Sequence, residues 1–127
     1  MKSFVSLALS AAAAMFMLLS VSASAAEQPM FKDGVLVDGS GMTLYTFDKD
    51  KANSGKSACN GQCATLWPPL AADKDAKASD PYSLVVRDDG TKQWAYEGMP
   101  LYLFASDKQA GDRKGDNVKN VWHVIKK

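Results

Sequence analysis

The chain has 127 residues, 46% of them hydrophobic, with 15 basic and 14 acidic side chains and one histidine. Such balance argues against a nucleic-acid or membrane-surface partner, which demands a clustered positive field. Two cysteines and one histidine also fall short of the usual four-ligand structural zinc site.

The chain opens Met-Lys-Ser, runs apolar from Phe4 to Val21 and reaches Ser22-Ala23-Ser24-Ala25-Ala26. A basic start, an apolar stretch and an Ala-x-Ala end predict a secretory signal over residues 1–25, cleaved after Ala25. Its removal takes away Lys2 and no acid, which leaves the remaining charges matched. No cysteine lies near that junction for a lipid anchor, so residues 26–127 are expected to be soluble, periplasmic or secreted, and to form a single β domain.

Val35-Leu36-Val37, the turn residues Asp38 to Gly41, and Thr43 to Phe47 predict a first hairpin. Ser83 to Arg87 and Lys92 to Tyr96 flank Asp88-Asp89-Gly90-Thr91 and predict a second. Leu101 to Phe104 and Val121 to Ile125 supply two further strands. Leu101-Tyr102-Leu103-Phe104 is apolar on both faces and is expected to be central, whereas the half-polar Leu44-Tyr45-Thr46-Phe47 is expected nearer an edge. On that basis Tyr102→Ala should destabilise more than Tyr45→Ala. The fold class expected is all-β: antiparallel meander and hairpins in two pseudo-symmetric halves, with at most one short helical turn around the cysteines.

The halves follow from an internal repeat. Gly41-Met-Thr-Leu-Tyr-Thr-Phe-Asp-Lys-Asp50 and Gly98-Met-Pro-Leu-Tyr-Leu-Phe-Ala-Ser-Asp107 share Gly, Met, Leu, Tyr, Phe and Asp at matching places. Each is followed by a polar loop and then a tryptophan, Trp67 or Trp122; Tyr45 and Tyr102 lie 57 apart and the tryptophans 55. Self-similarity of this kind marks a duplication. The repeats span about 33–70 and 82–126 and are joined by a polar loop, 71–81. Alternation puts Tyr45 with Phe47 on one face, and Tyr102 with Phe104. Asp50 and Asp107 then fall just past the strand ends, where they can accept from loop N–H groups or a nearby hydroxyl. Gly41, Leu44, Gly98 and Leu101 complete the frame, which reads as framework; the alternative is a ligand site lined by the Tyr and Asp pairs.

Tyr45-Thr-Phe-Asp-Lys-Asp50 and Tyr102-Leu-Phe-Ala-Ser-Asp107 give the chain a resemblance to a family of bacterial secreted proteins and lipoproteins. That family is defined by a repeated Tyr-x-aromatic-x-x-Asp motif. The likeness extends to Cys59-Asn-Gly-Gln-Cys63 and Trp67-Pro-Pro69. It implies export and this repeated architecture but no activity, since the family's function is unknown.

Cys59 and Cys63 predict a structural disulfide outside the cytoplasm. Residues four apart on a regular helix are too distant for one, so Asn60-Gly61 should supply a distorted turn. The alternative is a thiol-redox or copper site of Cys59, Cys63 and His123, because thiolate and imidazole suit copper. Trp67, Trp94 and Trp122 are expected in an aromatic core. No Gly-x-Ser-x-Gly elbow, phosphate loop or well-formed calcium loop is present, and no catalytic set is found. The sequence therefore reads as an exported, non-enzymatic binding protein without a cofactor, its partner another envelope protein or a small ligand. A metal- or thiol-handling protein and a structural envelope protein are the alternatives.

Overall fold

The computed structural model describes residues 28–127, so the expected signal segment lies outside the described residues. Antiparallel strands dominate. In chain order they are β1 (Met30–Lys32), β2 (Val35–Val37), β3 (Tyr45–Phe47), β4 (Ala71–Ala72), β5 (Tyr82–Val86), β6 (Lys92–Tyr96), β7 (Met99–Pro100) and β8 (Trp122–Val124). Helix α1 (Gln62–Leu66) carries Cys63, and a 3-10 turn at Val118–Asn120 holds the corresponding place in the second repeat.

Local chemistry sets the turns. Asp33 and Gly34 close β1 onto β2 with φ of 52° and 86°, and Glu97 and Gly98 close β6 onto β7 with 50° and 84°. Two successive left-handed residues match the right-handed twist of the strands they join. The predicted turn at 88–91 joins β5 to β6, where Asp89 accepts from the Thr91 N–H at 2.9 Å and its hydroxyl at 2.6 Å. The predicted 35–47 hairpin is present too, with Val37 bridged to Thr43, but β1 extends it by a strand that the sequence reading did not include.

Each repeat ends by leaving its own half. After Trp67, the chain from Pro69 to Ala72 pairs with Tyr102 and with β6 of the second repeat. After Trp122, β8 pairs with β3 of the first repeat, and Lys126 bridges Val35. The closing strands are thus exchanged, so strand order departs from a plain meander. Residues 71 and 72, expected to begin the connecting loop, are a paired strand for this reason.

At the centre, the Tyr45 N–H donates to the Tyr102 carbonyl at 2.8 Å and the Tyr102 N–H to the Tyr45 carbonyl at 3.0 Å. Tyr45 is flanked by Tyr102 and Val124, Tyr102 by Tyr45 and Pro69, and both are 0% exposed. The expectation that the Tyr45 strand lies nearer an edge is corrected. Its polar Thr46 faces the cross-strand His123 of β8 rather than open solvent at a sheet margin.

Alternation around this axis divides the core. Leu36, Leu44, Leu70, Trp94 and Leu101 fill one side; Tyr45, Phe47, Cys59, Trp67, Tyr102 and Trp122 fill the other. All three tryptophans are buried, but Trp94 packs with the leucines, apart from the other two.

Candidate functional site

The repeat motif is used reciprocally. The Tyr45 hydroxyl donates to Asp107 Oδ2 at 2.6 Å, and the Tyr102 hydroxyl donates to Asp50 Oδ2 at 2.7 Å. Each tyrosine therefore reaches the aspartate of the other repeat. The second carboxylate oxygens take loop N–H groups, Asp50 from Ala58 at 2.6 Å and Asp107 from Lys114 at 2.9 Å. Burial pushes both phenols well above their ordinary value of 10.0, and the adjoining carboxylates push the same way. Burial also raises Asp50.

The motif glycines serve the same exchange. Gly41 and Gly98 take φ of 85° and 84°. A β-carbon on Gly98 would lie 2.9 Å from the Asn53 backbone nitrogen, and one on Gly41 would lie 3.2 Å from Ala110. Asn53 and Ala110 are themselves 57 residues apart. Each glycine admits the loop of the opposite half.

Asymmetry begins at Arg87. It is buried at the end of β5 and donates to Ser57 Oγ at 3.0 Å, Gln93 Oε1 at 2.8 Å and the Cys59 carbonyl at 2.7 Å. Ser57 Oγ lies 2.6 Å from the Tyr102 hydroxyl, whose proton goes to Asp50, so the polarity runs Arg87 to Ser57 to Tyr102 to Asp50. Sequence reading missed Arg87 and Ser57, because nothing local marks an arginine as buried. All of these polar groups are occupied by one another.

Cys59 and Cys63 form a disulfide with Cα atoms 5.2 Å apart. Cys59 precedes α1, and Gly61 at φ 61° makes the turn between them. His123 is bonded elsewhere, with Nε2 2.9 Å from Asp48 Oδ2 and Nδ1 3.2 Å from Asn117 Oδ1. Bridged sulfurs offer no thiolate, and no group of three or more His, Cys, Asp or Glu suited to a metal ion occurs among the described residues.

A groove of about 480 Å³ lies over the aromatic side of the core. Its walls include a run of stacked rings: Phe47 on Trp122 with centroids 4.2 Å apart, Trp122 on Trp67 at 3.8 Å and Trp67 on Phe104 at 4.1 Å. Successive rings come from repeats one, two, one and two. Tyr45 meets Trp67 edge-on at 5.5 Å and Tyr102 meets Trp122 edge-on at 5.1 Å, which locks the run from beneath. Leu66, 54% exposed, and Val121 line the groove, with Cys63 and Val118 also on its walls. Lys49, Ser106 and Lys119 are its polar residues. The sequence reading expected Trp67 and Trp122 in an aromatic core, where they lie, and the same rings, with Phe47 and Phe104, border the groove. The groove's other residues carry no signal until the halves are assembled.

The sequence pattern of a family described as a secreted repeat of unknown function matches residues 31–71 and 83–126. No curated protein and no solved structure matches the chain. No helix among the described residues is long and apolar enough to cross a membrane.

Proposed function

The chain belongs to this family of secreted repeats, and from that membership and the groove we propose that it is an exported, non-enzymatic binding module whose ligand rests on the stacked rings. The carrying observation is an open apolar groove of about 480 Å³, walled by Trp67 and Trp122 and bordered by the exposed Leu66. A site of that size falls in the range of small-molecule pockets, which favours a small ligand over a broad protein surface. The motif Tyr and Asp side chains support the non-enzymatic reading, since they are consumed in holding the halves together.

The test is recovery of the native protein from its own compartment, followed by mass spectrometry of what it carries. A small molecule in stoichiometric amount, absent from the Leu66→Glu variant, is the expected result. Equal retention by that variant would place binding elsewhere. Thiol exchange is the second reading, favoured by one observation: Cys63 lines the same groove. It requires the disulfide to open under mild reductant without unfolding.

A further inference from the structure

The groove's apolar lining obeys the internal symmetry and its charges break it. Phe47 and Phe104 correspond at an offset of 57 residues, Leu66 and Val121 at 55, and Trp67 and Trp122 at 55. Lys49, however, stands where the second repeat has Ser106, and Lys119 stands where the first has Ala64.

Both cations belong to one end. The Asp48 N–H donates to the Val121 carbonyl at 2.8 Å and Phe47 stacks on Trp122, so the strand end carrying Lys49 is tied to the turn carrying Lys119. At the other end the Ala105 N–H donates to the Leu66 carbonyl at 2.9 Å and Phe104 stacks on Trp67, beside Ser106. No acidic residue lines the groove. Of the two acids flanking Lys49, Asp48 has its carboxylate on His123 Nε2 at 2.9 Å and Asp50 is buried, accepting from the Tyr102 hydroxyl and the Ala58 N–H. Both lysines are exposed, and neither pairs with a carboxylate among the described residues.

Lys119 is also held at a cost. Its φ is 52°, between Asn117 at 69° and Asn120 at 60°. Asparagine tolerates the left-handed region and lysine does so poorly. A strained residue at the mouth of a groove is the kind of outlier that binding sites retain.

Resting on the reading of this groove as the binding site, we propose that its occupant is a small aromatic anion, with its ring body against the stacked rings and its anionic group at the Lys49–Lys119 end. The faces of Trp67 and Trp122 are taken by neighbouring rings, so an aromatic body meets ring edges and the half-buried Phe104, in edge-on contact. Two lysines are compact point charges without the planar fork of arginine, so they accept one anionic group of any shape. A neutral or cationic ligand of the same shape leaves that end unmatched.

The test is calorimetric titration of residues 26–127, disulfide intact, with 2-naphthoate and with 2-naphthamide, its neutral counterpart, alongside backbone-amide NMR shifts. Naphthoate should bind at least tenfold more tightly than naphthamide, shift the amides of Leu66, Phe104 and Val121, and weaken as salt rises. The Lys49→Ala/Lys119→Ala variant should lose that tenfold preference while still binding naphthamide as before. Lys119→Asn should raise the melting temperature and still weaken naphthoate. Equal binding of the two probes to the unsubstituted protein overturns the anion and leaves the groove reading intact. Failure of both probes to move any groove amide at millimolar concentration overturns both.

Discussion

Deleting one hydroxyl should test how much the crossed contacts hold. In Tyr45→Phe the ring keeps its packing, but Asp107 loses a donor at 2.6 Å and the Gly115 N–H loses its acceptor at 3.1 Å. A hydrogen bond to a charged group contributes about 1.5–3 kcal/mol, and a buried orphan N–H adds about 1 kcal/mol to its loss. The expected cost is about 3 kcal/mol, a large part of the roughly 5–15 kcal/mol that stabilises a small domain. Urea denaturation with an unchanged m-value measures it. Tyr102→Phe strips Asp50 and Ser57 in the same way and should cost a similar amount. The expectation that Tyr102→Ala costs more than Tyr45→Ala rested on an edge position for Tyr45, whereas both residues are paired on two sides and wholly buried. Losses under about 0.5 kcal/mol for both variants, the scatter of an ordinary surface substitution, would refute the reasoning.

Gly98→Ala should cost well over 2 kcal/mol by combining left-handed strain with overpacking against the Asn53 backbone. Gly90→Ala, with similar φ but open space, should cost only about 1–2 kcal/mol; equal losses would remove the role assigned to the crossed loop. At alkaline pH the unfolded chain releases its tyrosine protons first, near 10, while Tyr45 and Tyr102 keep theirs when folded. The folded state then binds more protons, so stability is complete below pH 10 and falls above it. Melting curves from pH 8 to 11 should show that fall, blunted in the Tyr45→Phe/Tyr102→Phe variant, and a flat profile would contradict it. Reducing Cys59–Cys63 should cost about 2 kcal/mol, the chain-entropy value for so short a loop, as read by denaturation with and without reductant.

Much of the fold is legible in the sequence because its determinants are local. The repeat frame gives the two halves, alternation puts Tyr45 with Phe47, and the 88–91 turn marks its hairpin. Asp33-Gly34 was equally readable, since Asp-Gly between apolar residues is a strong hairpin signal, and it supplies the strand pairing that the reading omitted. The exchange of closing strands was not readable. Leu70 pairs with Leu101 and Trp94, and Ile125 with Leu36, through backbone bonds that carry no residue signature. The motif Asp was expected to accept from loop N–H groups or a nearby hydroxyl, yet only the assembled pair reveals that the hydroxyl belongs to the other repeat. The groove escaped for a related reason. Phe47 and Trp67 read as packing, which they are, but Lys49 and Lys119 occupy non-equivalent positions and line one groove only after assembly.

The most direct measurement is to place a protease site in the 73–80 connection, cut it, and compare the nicked protein with each half alone. Because each half contributes its last strand, its aspartate and alternate rings to the other, the nicked halves should co-elute with the native near-ultraviolet spectrum of stacked Trp67 and Trp122. Either half alone should lose that ordered signal. A single half that folds by itself, with its own tyrosine bonded to its own aspartate, would show that the repeats are neighbours and not exchanged.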